Sequence, residues 1–178
     1  FLDKIMTFTN KNRDIARLEL ANRLFFKLYQ CANILHKTGT RAVEEEGLTT
    51  QQWAVLGALS RSEIQERGMS VNELAQYLMV TRQNLSGLVG RMTRDGHLES
   101  ISDAEDRRLK LIRMTPTGRK VWEEAAQPKI KAFYEAATEG MSTTDLAHSL
   151  HYMIKLLENM NRIDMGTQET TEKSDSLS

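Results

Sequence analysis

Several features that would indicate other classes of protein are scarce or missing in this sequence of 178 residues. Its single cysteine, Cys31, excludes a disulfide within the chain and fits a reducing cytoplasm. Two prolines, ten glycines and an aromatic content of only 6% favour helices. No run of 18 apolar residues could cross a bilayer, and residues 1–10 lack the pattern of a secretory signal. We therefore expect a cytoplasmic protein without a membrane partner.

Signatures of enzymes and of cofactor sites are missing as well. No glycine-rich phosphate loop, nucleophile elbow or catalytic pair of carboxylates stands out. Of four scattered histidines, only His148 and His151 are close in sequence, and a solvated helix face explains their spacing. We expect neither an enzyme nor a bound cofactor or metal.

The charge is unevenly distributed, although the formal net charge of the chain is zero. Residues 81–120 contain nine Lys and Arg against five Asp and Glu, so this segment has a net charge of +4. Attraction to phosphate is local, because salt screens electrostatic interactions between exposed charges beyond about 10 Å. A basic segment on a neutral chain is therefore compatible with binding to nucleic acid.

Hydrophobic periodicity predicts a mainly α fold with a small β-hairpin. Apolar residues repeat every seven positions in the first helix, which should stop at Gly39. Pro128 should bend or interrupt the long helix that follows the hairpin. From residue 164 the chain is polar, and we expect a disordered tail. The predicted helices are 13–38, 49–60, 71–78, 82–94, 117–139 and 142–161, with strands at 98–101 and 109–114.

Residues 70–96 have the pattern of a helix-turn-helix. Ser70 and Glu73 form a capping box that opens a short helix, and Thr81 can cap the next one. The second helix fits the major groove, where Arg recognises guanine and Gln or Asn recognises adenine. We predict DNA contacts from residues on its outer face, namely Thr81, Arg82, Gln83, Asn84, Ser86 and Arg91.

Two further features suit a DNA-binding surface. Gly87 and Gly90 each cost about 1 kcal/mol against alanine in a helix. They indicate either a close approach to DNA or tight packing, or they are simply tolerated. The hairpin that follows resembles a wing, and Arg107 and Arg108 at its tip suit the negative potential of a narrow minor groove.

The chain resembles the multiple-antibiotic-resistance regulator (MarR) family over about residues 15–162, with the most specific motifs in residues 74–118. The resemblance rests on Gly96-His97-Leu98-Glu99, on the wing sequence from Asp103 to Arg108, and on the strand-to-helix junction Met114-Thr115-Pro116-Thr117-Gly118. It implies a winged helix-turn-helix with a helical dimerisation domain. The implied regions are dimerisation helices at 1–48 and 118–163 and a DNA-binding lobe at 49–117, followed by the tail at 164–178.

The resemblance also implies a function: a homodimer that binds a palindromic DNA operator as a repressor and is released by a small effector. Ala104 replaces the usual wing proline, Glu105 and Ser100 stand where arginine is common, and Gly87 replaces a larger residue. We therefore expect the wing to bind DNA less strongly than the wings of typical family members do. Asp106 should hold a nearby arginine in place.

The sequence gives little information about the identity of the effector. In the family, ligands that are often aromatic carboxylates bind between the dimerisation helices and the DNA-binding lobe. Tyr29, His36 and Trp53 lie on segments that could line such a cleft, although a lone aromatic residue at helical spacing more often belongs to the core. An aromatic acid or its thioester is our expectation. The alternatives are a redox-sensing regulator acting through Cys31, which we interpret as structural, and a winged-helix adaptor that binds proteins.

Overall fold

The first long helix, α1, extends from Leu2 to Val43. The computed structural model describes the backbone of residues 2–103, 106 and 108–175, and the side chains of 13–103, 106 and 108–164. The chain forms two compact units, residues 1–134 and 135–178. Within the described residues, no helix has the length and apolar character needed to cross a bilayer.

The prediction that α1 stops at Gly39 is wrong, because Gly39 is a buried residue inside the helix. A Cβ atom at this position would lie 2.9 Å from the Trp53 ring and 2.9 Å from the Thr50 hydroxyl. The glycine therefore lets the second helix, α2 (Thr50–Leu59), pack directly against the backbone of α1. Thr50 secures the contact by donating its hydroxyl to the His36 carbonyl at 3.0 Å.

The helix-turn-helix has the predicted boundaries. Helices α3 (Val71–Leu78) and α4 (Arg82–Arg94) are joined by the three residues 79–81. The capping box of Ser70 and Glu73 is present: the Ser70 amide donates to the Glu73 carboxylate at 2.7 Å, and the Glu73 amide donates to the Ser70 hydroxyl at 3.2 Å. This carboxylate also pairs with Arg67 at 2.6 Å. The backbone amide and Arg67 both hold the pKa of Glu73 below its usual value.

A three-stranded antiparallel sheet packs beside the helix-turn-helix. The predicted hairpin is confirmed as β2 (Leu98–Ser102) and β3 (Lys110–Met114), with Ser100 opposite Ile112. Sequence reasoning missed the short strand β1 (Met69–Ser70), which pairs with the other edge of β3. The strand order is therefore β1-β3-β2. The core beneath it combines α2, α3, α4 and the sheet through Leu56, Leu74, Leu85, Met92 and Leu98.

After the sheet, the chain returns to helix through two α-helical segments and a π turn. Helix α5 (Pro116–Lys120) begins at the Thr115 cap and leads into a π turn at Val121–Ala126, and α6 (Gln127–Ala137) follows. The expected interruption near Pro128 is therefore present as a π turn just before it. Gly140, with φ +81°, lies beyond the end of α6.

Helix α7 (Thr143–Asp175) makes up most of the second unit. Ser142 caps it by exchanging hydrogen bonds with Asp145, which lowers the pKa of that carboxyl group. We expected this helix to end near Asn161, but its backbone continues to Asp175. The continuation contains no proline to break the helix.

Candidate nucleic-acid interface and cavity

Helix α4 has a buried face and an exposed face. Leu85, Leu88, Val89 and Met92 are buried in the core of the lobe. The predicted contact residues are all exposed, namely Thr81, Arg82, Gln83, Asn84, Ser86 and Arg91. The structure thus brings the predicted side chains together on one solvent-facing surface, which we call the α4 face.

The two hydroxyl groups of the α4 face differ in their hydrogen bonds. The Thr81 oxygen accepts from the Asn84 amide at 3.3 Å, so its own proton can still be donated to a phosphate. Ser86 already donates its hydroxyl proton to the Arg82 carbonyl at 2.8 Å. Ser86 must therefore release that bond before it can donate to DNA.

Gly87 and Gly90 lie in the middle of the α4 face. At about 100° per residue, both point about 150° away from the mean direction of the four buried side chains of α4. A Cβ atom on Gly90 would meet nothing within 4 Å among the described residues, and one on Gly87 would meet only the Arg91 guanidinium, at 3.8 Å. Neither glycine is therefore needed for packing within the described chain.

The wing continues the basic surface. Arg108 is exposed, and its backbone amide donates to the Asp106 carboxylate at 2.9 Å. Asp106 thus holds the backbone of an arginine in place. Arg107, together with Ala104 and Glu105, lies outside the described residues. At the base of the hairpin, Arg113 pairs with Glu99 at 2.7 Å across the two strands.

The junction between the wing and α5 explains the motif that ends at Gly118. The Thr115 oxygen accepts from the Gly118 amide at 3.0 Å, and the Thr115 amide donates to the His97 carbonyl at 3.0 Å. A Cβ atom on Gly118 would overlap that same carbonyl oxygen. Only glycine allows the first turn of α5 to approach the start of β2 so closely.

A cavity of about 370 Å³ lies between α2, α3, the π turn and α6. Trp53 is 7% exposed, and its ring meets the Tyr134 ring edge-on with centroids 5.7 Å apart. One residue of the lining, Lys131, has a cationic side chain. At the α3 side, the Arg61 guanidinium carbon lies 4.7 Å from the centroid of the Tyr77 ring. The lining includes Trp53, Gly57, Tyr77, Trp122, Lys131 and Tyr134.

The three predicted effector residues are not brought together. Trp53 lines the cavity, whereas Tyr29 is 68% exposed and His36 is exposed on α1, and neither belongs to this lining. Sequence reasoning did not identify Trp122, Lys131 or Tyr134, because they follow the wing by many residues and reach Trp53 only through tertiary packing. Cys31 is exposed on α1.

An exposed polar recognition helix and a paired wing define a winged helix-turn-helix that binds duplex DNA. A model of the MarR family matches residues 46–109. The transcriptional activatory protein BadR of Rhodopseudomonas palustris is 61% identical over 160 residues, which cover 90% of this chain and 91% of that protein. The homoprotocatechuate degradative operon repressor of Escherichia coli is 30% identical over 117 residues, 64% of this chain and 76% of the relative.

Solved structures agree with this fold. The S. aureus MepR–DNA complex has a TM-score of 0.67 and 21% identity, covering 76% of this chain and 96% of MepR. CouR from Rhodococcus jostii RHA1, bound to p-coumaroyl-CoA, has a TM-score of 0.64 and 23% identity, covering 77% and 90%. The chain belongs to the MarR family, and it is a DNA-binding transcription regulator with a winged helix-turn-helix.

Proposed function

We propose that this protein is a cytoplasmic, homodimeric regulator that binds a palindromic operator and responds to an aromatic carboxylate or its thioester. The observation that carries the proposal is the α4 face, where Arg82, Gln83 and Asn84 are exposed on a helix whose other face is buried. Such a helix can enter the major groove without disturbing its own packing.

Base contacts and phosphate contacts should respond differently to mutation. Arg82→Ala should reduce the preference for the operator over random duplex, because arginine reads guanine directly. Arg108→Ala should weaken binding to both duplexes similarly and reduce the salt dependence. Fluorescence anisotropy with both duplexes across salt concentrations measures the two effects. If both variants bind like the parent, this arrangement on DNA is wrong.

Apolar side chains exposed on single helices support the dimer. On α1, Leu18 is 72% and Phe26 63% exposed, and on α7, Leu150 is 62% and Ile163 70% exposed. Surfaces of this kind on a monomer mark association sites. A palindromic operator needs two α4 helices about one DNA turn apart, and a second copy of the chain supplies the second helix. Leu150→Lys should produce monomers in analytical ultracentrifugation and weaken operator binding, whereas a parent that sediments as a monomer would contradict the dimer.

The cavity supports an aromatic effector. Its volume of about 370 Å³ lies at the lower end of the range for small-molecule sites, about 300–1,000 Å³. Aromatic rings at Trp53, Trp122 and Tyr134 suit an aryl group, and the Lys131 ammonium suits a carboxylate. The relative that represses a homoprotocatechuate degradative operon and the complex of CouR with p-coumaroyl-CoA agree with this chemical class.

The chain contains an intrinsic probe of this site, because both of its tryptophans line the cavity. Benzoate and 4-hydroxybenzoate should change the tryptophan fluorescence, and benzamide should do so less. Lys131→Gln should remove the preference for the acid over the amide, whereas Lys155→Gln on α7 serves as the matched control. Benzoyl-CoA tests the thioester. No fluorescence change with any of these ligands would refute the effector site.

The direction of regulation follows the relative with 61% identity. Because that protein is a transcriptional activatory protein, we propose activation as the main output in place of the repression implied by the family resemblance. A reporter fused to an operator that the parent protein selects from a random DNA library should give more transcript when the protein and its effector are both present. Higher expression in the absence of the protein would instead establish a repressor.

A further inference from the structure

The π turn at Val121–Ala126 is an irregularity in the helix that leaves the wing. The Gln127 amide donates to the Trp122 carbonyl, five residues back, so the turn contains one residue more than an α-helix would need. Pro128 follows at once. In a regular α-helix its ring would clash with the Glu124 carbonyl, and it has no N–H to donate to that carbonyl. The π turn accommodates this proline.

The π turn connects the wing, through α5, to the cavity. On its N-terminal side, α5 is fixed to the start of the wing by Thr115 and by the close approach of Gly118 to the His97 carbonyl. Within the turn, Trp122 is 7% exposed and lines the cavity. The Trp122 ring lies 3.3 Å from the position of a Cβ atom on Gly57, so it has little room on the α2 side.

We propose that the π turn is the hinge through which the occupied cavity changes DNA binding. This inference rests on the proposed effector cavity. A ligand beside Trp122 favours a different winding of residues 121–126, and each residue of winding rotates a helix by about 100°. Because α5 is fixed to His97, whose amide donates to the Met92 carbonyl of α4, rotation of α5 moves the end of α4 and the start of the wing together. The ligand shifts the equilibrium by its different affinities for the two windings.

Removing the extra residue tests the hinge. The variant lacks Glu124, an exposed residue of the turn, and carries Pro128→Ala so that a continuous α-helix can form with both flanking segments in register. Pro128→Ala alone is the matched control that keeps the extra residue. Each protein is assayed by anisotropy on a duplex selected by the parent from a random library, with and without 4-hydroxybenzoate.

The parent and Pro128→Ala should change their DNA affinity at least fivefold when the acid is added, within the usual range of allosteric coupling. The deletion variant should bind the duplex and show the tryptophan response to the acid, but its DNA affinity should change less than twofold. A deletion variant that keeps the full response would overturn the hinge.

Hydrogen exchange keeps the inference testable if the deletion variant does not fold. In the parent, the acid should alter exchange of the amides at 125–127. The selected duplex alone should also alter them, because coupling between two binding sites is reciprocal. The duplex measurement does not depend on the acid, so a missing acid response with a clear duplex response refutes the effector cavity but not the hinge. Unchanged exchange with the duplex refutes the hinge itself.

Discussion

Replacing both glycines of the α4 face by alanine should stabilise the protein and weaken its binding to DNA. Gly90→Ala adds a methyl group that meets nothing within 4 Å among the described residues, and Gly87→Ala adds one that meets only Arg91 Nη1 at 3.8 Å. Neither substitution creates a clash in the free protein, and neither glycine has a positive φ. The expected change in stability is therefore that of helix propensity.

Helix propensity favours alanine over glycine by about 1 kcal/mol per position. Two such positions give about 2 kcal/mol, which corresponds to a rise in Tm of about 4–8 °C for a chain of this size. The methyl groups lie on the surface that enters the groove. If the helix approaches the bases closely, overpacking of about 1–3 kcal/mol would weaken operator binding by about 5- to 150-fold.

Thermal unfolding at a fixed protomer concentration and anisotropy on the selected operator measure the two effects. Thr93→Ala is the control, because Thr93 is also exposed on α4 but lies at the edge of its exposed face. A higher Tm with unchanged DNA affinity would mean that the glycines are merely tolerated. A lower Tm would refute the conclusion that they are not needed for packing.

Substitutions at three further positions test the framework behind the α4 face. Gly118→Ala should destabilise the protein by about 3 kcal/mol in urea unfolding, because the new methyl group overlaps the backbone carbonyl of His97. Thr115→Ala should cost about 1 kcal/mol through loss of the helix cap, and Thr115→Ser much less. The lowered pKa of Glu73 stabilises the fold above its ordinary value of about 4.5, and this contribution is lost as the pH falls through the lowered pKa. Glu73→Gln should therefore reduce the acid-side decline in stability measured by urea unfolding between pH 3 and 6, and an unchanged decline would contradict the assignment.

The sequence is most informative where local chemistry decides the structure. The cap at Thr81, the capping box at Ser70 and the turn at Gly96 depend on neighbouring residues, so α3, α4 and the wing could be predicted closely. Gly39 shows the opposite case. A glycine after a long helix usually indicates a stop, but here it accommodates Trp53, which is 14 residues further along the chain.

The candidate DNA surface could be predicted for the same reason, since helical periodicity places Gln83 about 160° around the helix from Leu85. The cavity could not, because Trp53, Tyr77 and Tyr134 belong to three helices that meet only in the folded chain. Strand β1 was missed because two residues show no alternation, and only their pairing with Ile112 and Leu111 defines them as a strand.

The separation of α4 into two faces has a consequence for how such regulators diversify. Leu85, Leu88, Val89 and Met92 hold the helix in place, whereas the exposed side chains contribute little to that packing. Substitutions at Arg82, Gln83 or Asn84 can therefore accumulate during evolution at small cost in stability, usually within about 0.5 kcal/mol for surface positions. A duplicated copy of this gene could acquire a new operator sequence within a few mutations while keeping the same folded scaffold.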